Sequence, residues 1–200
     1  NTLVLFTSDH GDMLEFADAG VPKQYPHDYS LRVPYIMRYP GKIAENKDTD
    51  LLFGALDIMP TILGLLNLEI PAEVQGKNLA EAILSGDEDA VDFVPIWSYY
   101  NHSFKGVITK EWTYSATKPE QTSPLHSVLF DRGDDPYQLE NLFESEAHQA
   151  VRDSLWSLTA GWMAEFEDEF YTHEDLKVWS KEEWDQNYTR LPFEVLTSLK

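Results

Sequence analysis

The sequence contains no cysteine, which removes disulfides, thiolate zinc clusters and cysteine nucleophiles from this stretch and leaves its redox compartment unread. Positive charge is scarce: 15 Lys and Arg stand against 35 Asp and Glu, a formal net charge of −20. Such a surface repels nucleic acid and anionic membranes. It also offers no long-range funnel for an anion, so any anionic ligand must be held by local cations, by a metal ion, or by both. The rest of the acid excess reads as solvated surface. No apolar run approaches the about 18 residues that a membrane-spanning helix needs, and nothing at the start resembles a signal peptide. Internal repeats and low-complexity tracts are absent as well.

What is present suffices for a core: 200 residues, 42% hydrophobic and 13% aromatic, in one large domain or two small ones. The chain opens NTLVLFTSDHGD. Leu3 to Phe6 is apolar without alternation, which predicts a strand buried on both faces, as in a parallel sheet. Thr7 to Asp12 then turns polar or small, and the carboxyl end of such a strand is where open α/β folds place ligands. A mid-sheet strand needs neighbours on both sides, so the chain is expected to be part of a larger protein.

Glu15 to His27, rich in Gly, Pro and aromatic residues, reads as a loop over that strand end. Arg32 to Tyr39 (RVPYIMRY) predicts a second strand closed by Pro40-Gly41, and Glu45 to Asp50 an exposed connection. Ile58, Ile62, Leu65 and Leu66 have helix spacing, with Asp57 at a capping position and Pro60 in the tolerant first turn. A short helix is predicted over Leu79 to Leu84, stopping at Gly86. The stretch SGDEDAVD, residues 85–92, is the candidate boundary. Beyond it VPIWSYY, KGVITKEWTYSAT and HSVLFD predict an antiparallel meander with one covered face. DRGDDPYQLENL is a turn leading to a capped segment. Val151, Leu155, Leu158, Trp162 and Phe166 then mark an amphipathic helix within Glu146 to Phe166. From His173 onward, Trp179, Trp184 and Tyr188 among charges predict a surface-wrapping tail.

Asp9 and His10, released from strand alternation by the turn, can approach one metal ion from two directions, with Gly11 admitting close backbone. On local grounds alone, ordinary turn chemistry is the preferred reading of the same residues. Trp97, Tyr99, Tyr100, Trp112 and Tyr114 suit either a sugar-stacking wall or, preferably, the core of a small sheet. Asn101-His-Ser and Asn187-Tyr-Thr match glycosylation acceptor patterns that are also common by chance.

SDHGDM, then KQYPHDYSLRVP, the Pro-Gly turn, the Asp-Ile-Met-Pro-Thr helix start, VQGKNLAEAI and LFDRGDDPYQLENL occur in an order and spacing that resemble the sulfatase family of the alkaline-phosphatase-like superfamily. The resemblance runs from Asn1 to Phe166. It implies an α/β fold: a partial, mostly parallel alkaline-phosphatase-like sheet with flanking helices over residues 1–90. A small α+β C-terminal subdomain with an antiparallel sheet and a long helix would follow over 91–172, and a tail over 173–200. It also implies that Asp9 and His10 are metal ligands, His10 standing where many members carry Asn, and that Lys23 contacts the sulfate group. A fixed ammonium suits that task, because sulfuryl transfer builds negative charge on oxygen. The implied ion is Ca²⁺, with Mn²⁺ the alternative given an imidazole ligand. His27 lies where Tyr is common and Tyr29 where Glu is common, while Glu15 and Ala19 depart from the usual loop. His27 is read either as a substrate contact or, preferably, as a hydrogen-bonded loop histidine. His102 is a further substrate contact by resemblance, since the family's C-terminal loops approach the pocket mouth.

The family's nucleophile, a formylglycine made from Cys or Ser in a Cys/Ser-x-Pro-x-Arg segment, has no counterpart among Ser8, Ser30 and Ser85. The resemblance therefore implies a parent sulfatase acting on a sulfate ester, a sulfated carbohydrate being the class this family often serves, and an isolated chain that hydrolyses nothing. The parent's N-terminal half would complete sheet and site. Periplasmic or secreted location is implied by family alone. The competing readings are a phosphonate or phosphodiester hydrolase on the same fold and a non-catalytic binding module.

Overall fold

The computed structural model describes residues 2–14, 16, 23–99, 103–117 and 125–168. The first layer begins with β1 (Val4–Phe6), which leads into the Ser8–Asp12 turn, and continues with a one-turn helix α1 (Asp28–Leu31) and β2 (Ile36–Arg38). β1 and β2 pair antiparallel, Leu5 opposite Met37. Among the described residues β1 has this antiparallel neighbour, with Val4 49% and Phe6 61% exposed; they do not show the parallel sheet that the sequence leads one to expect. An apolar run without alternation carries no information about the direction of its partner. Burial of both faces also needs covering elements, which the described residues do not supply. β2 is shorter than RVPYIMRY predicts, because Pro34 cannot donate to a ladder, and α1 forms inside the predicted loop-to-strand passage.

α2 (Ile58–Leu65) follows a 3-10 turn at Ala55–Asp57, and α3 (Ala80–Ser85) ends on Gly86 in the left-handed region at φ 77°, as the sequence predicts. Asp57 sits at the α2 N-cap position without capping it. Its carboxylate instead accepts the amides of Gly54 (2.9 Å) and Lys77 (2.8 Å), stitching together segments 20 residues apart. Thr61 does the same from inside α2, accepting the Leu79 amide at 3.0 Å. Leu79, Ala82 and Val91 with Leu51, Leu52 and Phe53 form a small core there.

The meander is present as β3 (Val94–Ser98), β4 (Phe104–Ile108), β5 (Trp112–Thr117) and β6 (Val128–Asp131), antiparallel in chain order. α4 (Gln149–Glu165) packs on one face. Val107, Tyr114 and Leu129 from the sheet meet Leu155, Trp162 and Met163 from the helix, all buried. Trp162 Nε1 donates to the Gly106 carbonyl at 3.2 Å.

The opposite face is covered too, contrary to the one-faced expectation. Tyr25 and His27 lie over it, 4.7 Å from the His126 ring and 5.1 Å from the Phe130 ring respectively. Alternation along β4 fails to report this because Phe104 to Val107 are all buried. The segment just ahead of α1 is thus the filling between the two layers, and α1 is fixed by what the sheet does.

Candidate functional site

The Ser8–Asp12 turn is held where it is by Gly11. The Gly11 amide donates to the Ser30 carbonyl at 2.8 Å. A Cβ on Gly11 would sit 2.1 Å from the Tyr29 carbonyl oxygen and 3.3 Å from that of Arg32. Only glycine lets the turn lie this close against α1.

That docking leaves Asp9 and His10 side by side. His10 Nε2 is 3.4 Å from Asp9 Oδ2, with the Asp9 side chain 82% and the His10 side chain 38% exposed. The Asp9 carboxyl is held below its ordinary value, first by hydrogen bonding to its own backbone and also by His10 and Ser8, so it is an anion at neutral pH. His10 Nδ1 lies 2.6 Å from the Gly11 carbonyl, which is an acceptor only, so Nδ1 carries the proton and Nε2 presents a lone pair. Lys23 Nζ donates to that lone pair at 2.9 Å, across 13 residues of sequence.

Of the predicted site residues, His10 therefore meets both Asp9 and Lys23 at its Nε2, which adjacency alone does not require of Lys23. A carboxylate oxygen beside an imidazole Nε2 with its tautomer fixed by a backbone carbonyl is a donor pair suited to a divalent cation. The 3.4 Å between them matches the edge of an octahedron with ligands about 2.4 Å from a calcium ion. Among the described residues no group of three or more Asp, Glu and His is placed to hold a metal. The two donors are part of a coordination shell rather than the whole of one.

His27 does something else. It is 3% exposed, caged by Phe16, Tyr25 and Phe130, and its Nδ1 has no hydrogen-bond partner among the described residues. The expected hydrogen-bonded loop histidine is thus corrected to a neutral packing group, its pKa pushed down to about 4 by burial. It forms part of the wall of an open cavity of about 320 Å³ with Phe16, Leu125 and Phe130. His102, Tyr100 and both glycosylation patterns centre on residues outside those described, as does the predicted tail. The aromatic set divides: Tyr114 is core, Trp97 packs 5.9 Å from Trp162, and Tyr99 donates to Asp168 at 2.8 Å.

Two residues that sequence reasoning did not single out, Arg132 and Gln138, hold α1 in place, and a third, Asn141, ties their turn to β6. Arg132 grips the Asp28 carboxylate with two nitrogens at 2.7 and 2.9 Å and donates to Thr113 Oγ1 at 2.7 Å. Gln138, buried, donates to Asp28 and Thr113 and accepts the Asp28 amide at 2.7 Å. Asn141 Oδ1 accepts the amides of Leu129 and Phe143. The DRGDDPYQLENL turn is thus a clamp reaching from the sheet to α1. A signal existed, since polar residues in a tight turn need partners, but not the partner's address.

Residues 20–161 match the family model described as N-sulphoglucosamine sulphohydrolase, C-terminal. An endo-4-O-sulfatase of Bacteroides thetaiotaomicron is 36% identical over 197 residues, aligning with 88% of this chain and 38% of its own. An ulvan-active sulfatase of Formosa agariphila is 33% identical over 179 residues, 85% of this chain and 34% of its own. A solved structure from the metabolism of multiple glycosaminoglycans by Bacteroides thetaiotaomicron superposes with a TM-score of 0.74 at 33% identity, over 88% of this chain and 40% of that one. The chain therefore spans well under half the length of the relatives it matches. A histidine met by Asp9 and Lys23 beside a glycine-docked turn, a clamp made from the DRGDDPYQLENL turn and these matches lead to one conclusion: the chain belongs to the sulfatase family of the alkaline-phosphatase-like superfamily, matching its N-sulphoglucosamine sulphohydrolase C-terminal region.

Proposed function

We propose that this chain supplies part of the active site of a metal-dependent sulfatase that hydrolyses the sulfate ester of a carbohydrate. The carrying observation is the meeting of Asp9, His10 and Lys23, with the His10 tautomer set for ligation. The glucosamine in the matched family's description and the sulfatase names of the relatives support the substrate class. In this reading the formylglycine, the remaining cation ligands and the strands that cover Val4 and Phe6 come from sequence outside these 200 residues. The chain alone turns over nothing. Residues 1–90 then belong to the larger α/β core with its parallel sheet, and 91–172 to the subdomain that clamps α1.

Asp9 contributes a full negative charge and His10 a neutral nitrogen to the cation, calcium by preference because the set is led by carboxylate, with manganese the alternative. When bound, the cation neutralises charge on the sulfate oxygens. With a cation held by Asp9 and His10, Lys23, half-buried beside them, would present its ammonium to the anion. It stabilises charge that grows as the ester bond breaks without moving a proton. Among the described residues no helix is long and apolar enough to cross a membrane; the proposed periplasmic or secreted location is supported by relatives described as extracellular sulfatases.

The test uses the complete protein, this chain with its proposed upstream sequence, and paired sulfate and phosphate esters of one sugar. Asp9→Ala is expected to lower bound calcium, and Lys23→Ala to lower sulfate-ester kcat/KM by about a hundredfold or more with calcium content kept. Unchanged calcium in Asp9→Ala would refute the metal assignment. Preference for the phosphate ester would move the reading to the phosphoester hydrolases of the same fold. Turnover of neither, with the cation absent, would leave a binding module.

A further inference from the structure

Ser30 is buried, 3% exposed, in the third position of α1. Its hydroxyl oxygen accepts the backbone amides of Gln24 at 3.1 Å and Tyr25 at 3.4 Å, the two residues that follow Lys23. Its carbonyl accepts the Gly11 amide at 2.8 Å, next to His10. One residue thus fastens both strands of chain that carry the converging side chains, and its two oxygens divide the task. The side-chain oxygen holds the Lys23 segment; the backbone oxygen holds the Asp9–His10 turn. Gln24 adopts φ 76°, a left-handed conformation that non-glycine residues visit rarely and keep only when neighbouring contacts impose it. The Ser30 hydroxyl is such a contact, at the residue that turns the chain directly after Lys23.

We propose that Ser30 is a positioning residue for Lys23: its hydroxyl sets the backbone turn at Gln24 and Tyr25 that aims the ammonium at the Asp9–His10 corner. The inference rests on the reading of Lys23 as the sulfate contact. Because Ser30→Ala removes the hydroxyl and keeps the carbonyl, it loosens the lysine arm while leaving the cation's two ligands docked. Displacing a positioned group by about 1 Å is enough to cost up to about a hundredfold in rate.

A cycle of Ser30→Ala, Lys23→Ala and the double variant in the complete protein tests this, reading kcat/KM on a sulfated sugar and bound calcium. Ser30→Ala is expected to lower kcat/KM by about ten- to a hundredfold with calcium content unchanged. Added to Lys23→Ala, it should cost less than about threefold more, because a residue that acts through Lys23 has nothing left to act on. An undiminished kcat/KM in Ser30→Ala, or losses that multiply in the double variant, overturns the proposal and leaves Lys23 in its role. Full activity in Lys23→Ala overturns the underlying reading and the proposal with it. If Ser30→Ala does not fold, Ser30→Thr retains the accepting oxygen and is expected to keep kcat/KM within about threefold of the native protein; a folded Ser30→Thr with a larger loss is equally adverse.

Discussion

Arg132→Met is the substitution that most directly tests how the sheet holds the site. It removes two donations to Asp28, at 2.7 and 2.9 Å, and one to Thr113, while retaining an apolar stem of similar reach. The side chains of the pair are 20% and 19% exposed, so water replaces the lost partner poorly. Stranding one member of a fully buried pair costs about 3–5 kcal/mol. Asp28 retains some solvent and one Gln138 donation at 3.2 Å, which places the expected loss at about 2–4 kcal/mol. With a urea dependence of about 2 kcal/mol/M, the unfolding midpoint followed by tryptophan fluorescence should fall by about 1–2 M. A cycle with Asp28→Asn should return a coupling of about 1.5–3 kcal/mol. A fall below about 0.25 M, or no coupling, would show that the clamp holds nothing and that α1 is positioned some other way.

His27 is neutral when folded, its pKa at about 4 against 6.5 when exposed. The unfolded chain therefore binds more protons between these values. Stability should be complete above pH 6.5 and fall by about 3 kcal/mol as the pH drops toward 4; equal slopes of urea midpoint against pH in the native protein and His27→Phe would refute this. Lys105 Nζ lies 2.5 Å from Asp168, with side-chain exposures of 0% and 7%. Lys105→Ala should cost about 3–5 kcal/mol, seen by calorimetry as a large drop in thermal midpoint, and a loss under about 1 kcal/mol would mean the pair is dispensable. Gly11→Ala forces a methyl 2.1 Å from the Tyr29 carbonyl, so calcium affinity of the complete protein should weaken by about tenfold or more in titration calorimetry. Unchanged affinity would mean the turn need not dock on α1.

The meander and α4 were legible because their evidence is local. β4 and β5 are bounded by polar turns, and Leu155 and Trp162 repeat at helix spacing onto one buried face. Asp9, His10 and Lys23 were legible as residue types at a strand end and in a following loop, with a familiar motif order around them. The neighbours of β1 were not legible, because an apolar run reports hydrophobicity, not the direction of its neighbour, and among the described residues only the antiparallel β2 pairs with it. His27 was misread because nothing in KQYPHDYS tells a loop histidine from one pressed between Phe16, Tyr25 and Phe130.

Sequence alone settled what each segment can do: which stretches bury an apolar face, which turn needs glycine, which side chains carry charge or a lone pair. Tertiary structure alone decided which of them meet. Lys23 reaches His10, Arg132 reaches Asp28 and Ser30 fastens Gly11 and Gln24 together only through pairing and packing between segments 6 to 104 residues apart. Those distances depend on the closure of the whole chain, and no local pattern of residues encodes them.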